Sequence, residues 1–503
     1  MGKVFGAKTN ELIRSGLSFF HALSQKIGEK LDPLIRGVDA YLGKKITRPR
    51  RMITLLVIKY LYIFLAVTIL NGQWYVGHGS YDVAFVLWKE LLALPVFLLV
   101  CAAYTQMKIK DRFVDYTLYC LLVIYYIPLN SAFAINDQPL LFFLCSNLFF
   151  LLLVVCTYYG AGFLGKFEKK DKKTVRYTAE NFYSDRNVIA VCALICGLFI
   201  IYKLWYNGLS FSFSMDANDV YGIRGEYAEF LESISGTWLS YLLSILRNVA
   251  PYAVLYYLLI ALITHKGAHF LFGVLCILAQ FSVSAGKGMV IYLAVVAVLY
   301  IGHKTKLLKH FKRLFEIGIL ALLTVCLLEH FVLHSDKIFT LLIRRVMYIP
   351  AWLNTMYYEF FTENGPVFWS QNVFLLQNLL PPVYDTSPLT LISETYFAGK
   401  VASPNTGLFA EAVMHVGVMG TVIYPVVLAV VLLISGKIFK PYGICVQIFM
   451  ATRLALHLQN IPITRTDSVL SYFLFTFMLW ILPKLHLKNL PEGIQARLMK
   501  RKN

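Results

Sequence analysis

Apolar windows recur along the chain at about 52–70, 82–104, 115–129, 138–158, 187–206, 246–264, 268–283, 288–302, 314–333, 408–435, 441–457 and 468–484. Most approach the roughly 20 apolar residues that a helix needs to cross hydrocarbon, and the period-two alternation of an outer-membrane barrel strand does not recur. The pattern predicts an all-α polytopic integral membrane protein, one helical bundle of about 12 transmembrane helices on the length criterion. Residues 52–333 are expected to carry helices 1–9 with an outward loop at 207–245, and 408–484 helices 10–12. Between them, 334–407 reads as a long extracytoplasmic loop with interfacial helices.

Residues 1–51 precede the first window. They lack a compact apolar core followed by a small-residue cleavage site, so no cleavable signal is predicted there. Leu12, Leu17, Phe20, Leu23, Ile27, Leu31, Leu34 and Val38 recur at helical spacing with Lys26, Lys30 and Arg36 between them. That spacing fits a basic amphipathic arm on the inner leaflet and equally an ordinary cytoplasmic helix with a solvated basic face. The connectors alternate in Lys and Arg content. Basic ones are the arm, Lys108/Lys110/Arg112, the 166–186 loop, Lys266, the 304–313 loop, Lys437/Lys440 and the tail at 485–503. Connectors 71–81, 130–137, 207–245 and 458–467 carry few bases or none. The positive-inside rule then places both termini in the cytoplasm and 207–245 and 334–407 outside.

Composition agrees. At 58% hydrophobic and 15% charged residues the chain is too apolar for a soluble protein of 503 residues. A formal net charge of +19 raises nucleic acid as a partner, but the bases sit in connectors on one side, which points to membrane lipids instead. The nine cysteines lie mostly inside apolar runs and act as small hydrophobes, with no metal spacing or disulfide framework. No internal repeat is visible, which weighs against an inverted-repeat transporter.

Polar chemistry concentrates in 335–420 and at the outward ends of spans, where charge is expensive and points to function. The outward bases are Arg224, Arg247, Lys287, Arg344, Arg345, Arg453 and Arg465. Arg247 sits in Ser-Ile-Leu-Arg-Asn-Val-Ala-Pro. Lys287 lies in Gly-Lys-Gly, a turn that suits an anion or is a plain turn, and that lacks the spacing of a phosphate-binding loop. Arg344 and Arg345 can grip a diphosphate bidentately or snorkel to headgroups. The aromatic segment that follows them is expected along the outer interface. Trp352, Tyr357, Tyr358 and Trp369 are candidates for stacking on sugar rings. Glu411 and His415 are one helical turn apart and fit a general base with its orienter, a pair packing the helix end, or two zinc ligands lacking a third. An intramembrane Arg453 needs an anion, which Asp467, Glu411 or a bound phosphate can supply. His457 is a candidate only for an acyltransferase, without a supporting motif.

Ser-Ala-Gly-Lys-Gly at 284–288, Arg-Arg-Val-Met-Tyr-Ile-Pro-Ala at 344–351, Asn-Thr-Gly-Leu-Phe-Ala-Glu-Ala at 405–412 with Gly417 and Gly420, and Thr-Arg-Thr-Asp-Ser at 464–468 together resemble the Wzy-type oligosaccharide repeat-unit polymerases of bacterial O-antigen and capsule synthesis. The likeness spans residues 50–490 in topology and 280–480 in motif; the basic arm departs from it. The resemblance implies a GT-C-like bundle in the bacterial cytoplasmic membrane, acting on a polyprenyl-diphosphate-linked oligosaccharide presented from the outer leaflet. It also implies a chain-length regulator and a flippase as partners. The outward bases would then hold the leaving diphosphate and Glu411 or His415 would take a proton, with no cofactor and no metal. A ligase acting on the same lipid carrier and a lipid-linked sugar transporter are the alternatives.

Overall fold

The computed structural model describes residues 36–37, 39–41, 48–75, 77–167, 186–208, 226, 229–230, 233, 238–284, 288–374, 376–400 and 404–488. Most of the amphipathic arm, most of the 207–245 loop, Arg224, Lys287 and the tail from 489 lie outside them.

The described chain is helical apart from its connectors and one small hairpin, β1 (Trp74–Tyr75) paired antiparallel with β2 (Gly79–Ser80). Each expected window coincides with a helix. They are α1 (Arg48–Leu70), α2 (Leu87–Gln106), α3 (Arg112–Ile135), α4 (Leu140–Phe167), α5 (Arg186–Asn207), α6 (Trp238–Ile263), α7 (Gly267–Ser284), α8 (Gly288–Lys304) and α9 (Phe311–Leu333). A π-helical stretch, Phe339–Tyr348, runs into α10 (Ile349–Asn364), followed by α11 (Pro388–Phe397), α12 (Phe409–Val416), α13 (Gly420–Phe439) and α14 (Ile444–Asn460). Two further π-helical stretches are Leu122–Tyr126, within α3, and Val469–Phe473, which opens α15 (Leu474–Lys488). Among the described residues eight helices are long and apolar enough to cross a membrane, with α12 and α13 forming one of them. The apolar parts of α7, α8 and α15 are shorter.

The helix α3 organises the bundle. Every residue from Tyr116 to Ile135 is buried, the mark of a helix surrounded by others rather than one with a solvent face, and its most apolar window is wholly buried. Packed around it are α1, α2, α4, α9, α10, α13 and α14. The helices α5, α7 and α8 gather instead on α6, which also meets α15 and the π-helical stretch before it. At the other extreme, only 22% of the corresponding window of α9 is buried. Its exposed Val325, Leu328, Phe331, Val332 and Leu333 suit contact with lipid.

The segment expected along the outer interface is instead inside the protein. Every residue of α10 from Pro350 to Tyr358 is buried, and the helix packs on α3 and α12. Its aromatic residues fill a core.

Two groups of ion pairs are sequestered between helices. Lys59 of α1 lies 2.6 Å from Glu90 of α2, both almost fully buried. A second cluster joins α1, α2, α3 and α9. In it Arg51 pairs with Glu316 at 3.2 Å, Tyr119 hydrogen-bonds the same carboxylate, and Lys312 pairs with Asp115 at 2.6 Å. Tyr104 completes that cluster, donating to Asp115 Oδ1 at 2.8 Å. Polar groups at such positions are tolerated only when matched in this way.

The chain reverses at two glycines around α12. Gly417, between α12 and α13, has φ of +62°, the left-handed region that suits a residue without Cβ. Gly407 lies flat against the end of α14. A methyl there would run into the carbonyl oxygen of Leu458 and sit 2.7 Å from that of Ile461. Neither backbone oxygen can move away cheaply.

Gly407→Ala should therefore lower the thermal unfolding temperature of the purified protein, with a cost of roughly 1–3 kcal/mol for overpacking. Gly197→Ala, on α5 with no atom within 4 Å of the added methyl, should be neutral or slightly stabilising. Equal behaviour of the two variants would contradict the close approach at Gly407.

Candidate functional site

Arg247 and Arg453 come together. They line a cavity of about 320 Å³ between α6 and α14, with Asn248, Pro251, Tyr252, Leu456, His457, Asn460, Ile461 and Ser471. Two helical stripes make its walls. On α14, Arg453, Leu456, His457 and Asn460 fall at i, i+3, i+4 and i+7 and so share a face. On α6, Arg247 and Pro251 are one turn apart. Proline has no N–H, so Arg247's carbonyl loses its donor four residues on, and the helix is disturbed where the cavity opens. Arg453's guanidinium lies 4.3 Å from the centroid of the Tyr252 ring, a distance at which the ring's negative face steadies a cation. The described lining residues include no carboxylate.

The remaining site candidates lie elsewhere. Glu411 is 1% exposed and lies outside the cavity lining. Its Oε2 accepts from the Ile463 amide at 2.7 Å, and its Oε1 from the Thr464 amide at 3.0 Å and the Thr464 hydroxyl at 2.8 Å. This carboxylate binds the loop after α14 to α12, and it forms no ion pair with Arg453. Three hydrogen bonds hold this carboxylate in a structural position away from the two arginines. His415 is fully buried, 3.3 Å by its Nε2 from Thr464 Oγ1, and lies near-parallel to the Trp369 and Tyr424 rings at 6.5 and 6.0 Å. Its surroundings are those of a side chain that packs the end of α12.

Three of the four stacking candidates have their faces occupied. Trp352, Tyr357 and Tyr358 are 7%, 2% and 5% exposed. Trp352 is ringed by Tyr75, His78, Tyr81, Tyr348 and Phe397 at 4.7–6.3 Å. Tyr357 donates to the Pro404 carbonyl at 3.1 Å. Tyr358 stacks on Phe409 at 6.0 Å. They are core residues, because α10 runs through the bundle instead of along its rim. Trp369 is half-buried and donates to the Tyr424 hydroxyl at 3.2 Å.

Arg344 and Arg345 sit on the π-helical stretch before α10, outside the cavity lining. Arg345 is exposed and Arg344 half-buried, its guanidinium 5.9 Å from the Tyr75 ring. Nearby, burial beside Trp352 and Phe397 holds the His78 imidazole below its usual range. Arg465 donates to Asn405 Oδ1 at 2.6 Å, tying the loop after α14 to the one before α12.

What fixes the C-terminal end of α14 is a set of polar side chains with no charge. Gln459, fully buried, donates to the carbonyls of Ile124 at 3.1 Å and of Val346. Both acceptors lie in π-helical stretches, where the ordinary i to i+4 pairing is broken. The α12 N-terminus has no side-chain cap from its own flank. Tyr125 Oη accepts from the Phe409 amide at 3.0 Å, and Asn354 Oδ1 from the Ala410 amide at 2.8 Å. Sequence reading passed over Asn354, Tyr125 and Gln459, as well as Tyr252 and Asn460. A signal existed for the last two, Tyr252 next to Pro251 and Asn460 two turns from Arg453.

Among the described residues no three His, Cys, Asp or Glu side chains converge as metal ligands would. No protein-family model, curated protein or solved structure matches the chain.

Glu411→Ala should leave the Ile463 and Thr464 amides unpaired and lower stability by about 1–3 kcal/mol. Hydrogen exchange should accelerate at 461–465 while α3 stays protected. Unchanged exchange there would contradict the staple.

Proposed function

We propose that the chain is a multi-pass glycosyltransferase of the bacterial cytoplasmic membrane that polymerises polyprenyl-diphosphate-linked oligosaccharide repeat units at the outer face. The observation that carries this reading is the convergence of Arg247 and Arg453 on one cavity with His457, Tyr252 and Asn460. On the positive-inside argument these residues lie in the outward halves of α6 and α14. Four further passes through α7, α8, α14 and α15 complete about 12 spans in a GT-C-like bundle, and both termini are cytoplasmic.

The chemistry follows from the charges. Glycosyl transfer from such a donor breaks the bond between the anomeric carbon and a diphosphate oxygen, and the negative charge that develops on the leaving group must be held. Two guanidinium groups with bidentate geometry, in a cavity walled by apolar helices, supply fixed positive charge where water is scarce. Arg453 is anchored on the Tyr252 ring, so less side-chain freedom is lost when an anion arrives. Asn248 and Asn460 can donate to and accept from sugar hydroxyls. Arg344 and Arg345, at the exposed start of the same outer region, suit the approach of a second anionic lipid carrier.

Purified protein incubated in detergent with a polyprenyl-diphosphate oligosaccharide and a chelator should give a ladder of lipid-linked multiples. Arg247→Ala and Arg453→Ala should each lower the rate at least about 100-fold, the scale of losing one charge-stabilising group. Arg453→Lys should recover only part, lacking the planar fork. Transfer only to a separate acceptor would mark a ligase, and unchanged substrate in every format would overturn glycosyl transfer. Full activity in folded Arg453→Ala protein would remove the cavity from the mechanism.

A further inference from the structure

The cavity wall carries a histidine whose proton position the hydrogen bonds decide. His457 is one turn beyond Arg453 on α14. Its Nε2 lies 2.7 Å from Ser468 Oγ, and that oxygen lies 2.6 Å from the carbonyl of Pro462. A carbonyl can only accept, so the single hydrogen of the Ser468 hydroxyl goes to Pro462. The lone pair of Ser468 then receives the N–H of His457 Nε2. Ser468 is fully buried, so water does not compete for this arrangement. In the neutral ring the lone pair is therefore on Nδ1. That atom lies 3.3 Å from the Tyr252 hydroxyl, longer than the usual contact with an O–H donor and so readily exchanged for another.

We propose that His457, not Glu411 or His415, is the general base of the reaction, with Ser468 and Pro462 as the pair that holds its tautomer. This rests on the glycosyl-transfer reading above. An acceptor sugar hydroxyl takes the place of Tyr252 at Nδ1. Its oxygen attacks the anomeric carbon of the lipid-linked donor while its proton passes to Nδ1. The new glycosidic C–O bond forms as the bond to the diphosphate oxygen breaks, and that electron pair leaves on the diphosphate between Arg247 and Arg453. The imidazolium then carries N–H on both nitrogens, one still held by Ser468, and returns the added proton to water as the diphosphate departs. All these groups line or flank one cavity, which is the geometric requirement for a base. Ser468 acts through His457 and is a positioning residue.

The test combines two measurements on the full chain. The first is nitrogen-15 resonance of selectively labelled histidines, eleven in all, with His457→Gln to assign the signal. It should show a neutral ring protonated on Nε2, and Ser468→Ala should turn this into a mixture of tautomers. The second is transfer from a polyprenyl-diphosphate oligosaccharide. His457→Ala should be slower by about 100- to 10,000-fold, with KM for the donor little changed. Added imidazole should restore at least a tenth of the lost rate, and Ser468→Ala should fall between His457→Ala and the wild type. An Nδ1-protonated ring overturns the inference whether or not transfer is seen. So does full transfer by folded His457→Ala, or an inactive His457→Ala that imidazole does not rescue. A wild-type protein with the expected tautomer and no transfer overturns the glycosyl-transfer reading, and the role of His457 with it.

Discussion

Broken helices in an apolar bundle must find partners for every backbone group they release, and the centre of this molecule is built around that demand. The short helix α12 begins inside the protein, where no water can reach its first amides. Tyr125 from α3 and Asn354 from α10 accept from them. Asn354 is itself held by the Pro350 carbonyl and the Thr406 hydroxyl. Gln459 meets carbonyls in two π-helical stretches at once. Each of these side chains is neutral, so none carries the desolvation cost of a buried ion.

The site depends on this lattice. Gln459 and Gly407 hold the C-terminal end of α14 from one side, and Glu411 holds the loop beyond it from another. With that end fixed, Arg453 and His457 are presented on one face toward α6. There Pro251 opens the wall beside Arg247. The cavity lies where the helices gathered on α3 meet those gathered on α6, so its width depends on how the two groups pack.

The helices were legible because an apolar run of hydrocarbon length rarely folds as anything but a spanning helix. Arg247 and Arg453 were legible for a related reason: a cation within an apolar run is costly and calls for an anionic partner. What the linear chain could not separate was a reactive carboxylate from a structural one. Glu411 followed by His415 has the spacing of a catalytic pair, yet the carboxylate is consumed by amides some 50 residues away in sequence. The aromatic run of α10 misled likewise, since Trp and Tyr favour membrane interfaces and buried clusters alike. Proline and arginine one turn apart on α6, and the stripe from Arg453 to Asn460 on α14, carried the cavity in their periodicity. Ser468 and its tautomer-setting role needed three dimensions.

The central claim is that Arg247 and Arg453 together hold a lipid diphosphate. Cryo-electron microscopy of the full chain in nanodiscs containing a polyprenyl diphosphate tests it most directly. The account predicts diphosphate density in the cavity between α6 and α14, within hydrogen-bonding reach of both guanidinium groups and absent in Arg453→Ala protein. Diphosphate density at Arg344 and Arg345 alone, with the α6–α14 cavity vacant, would contradict it.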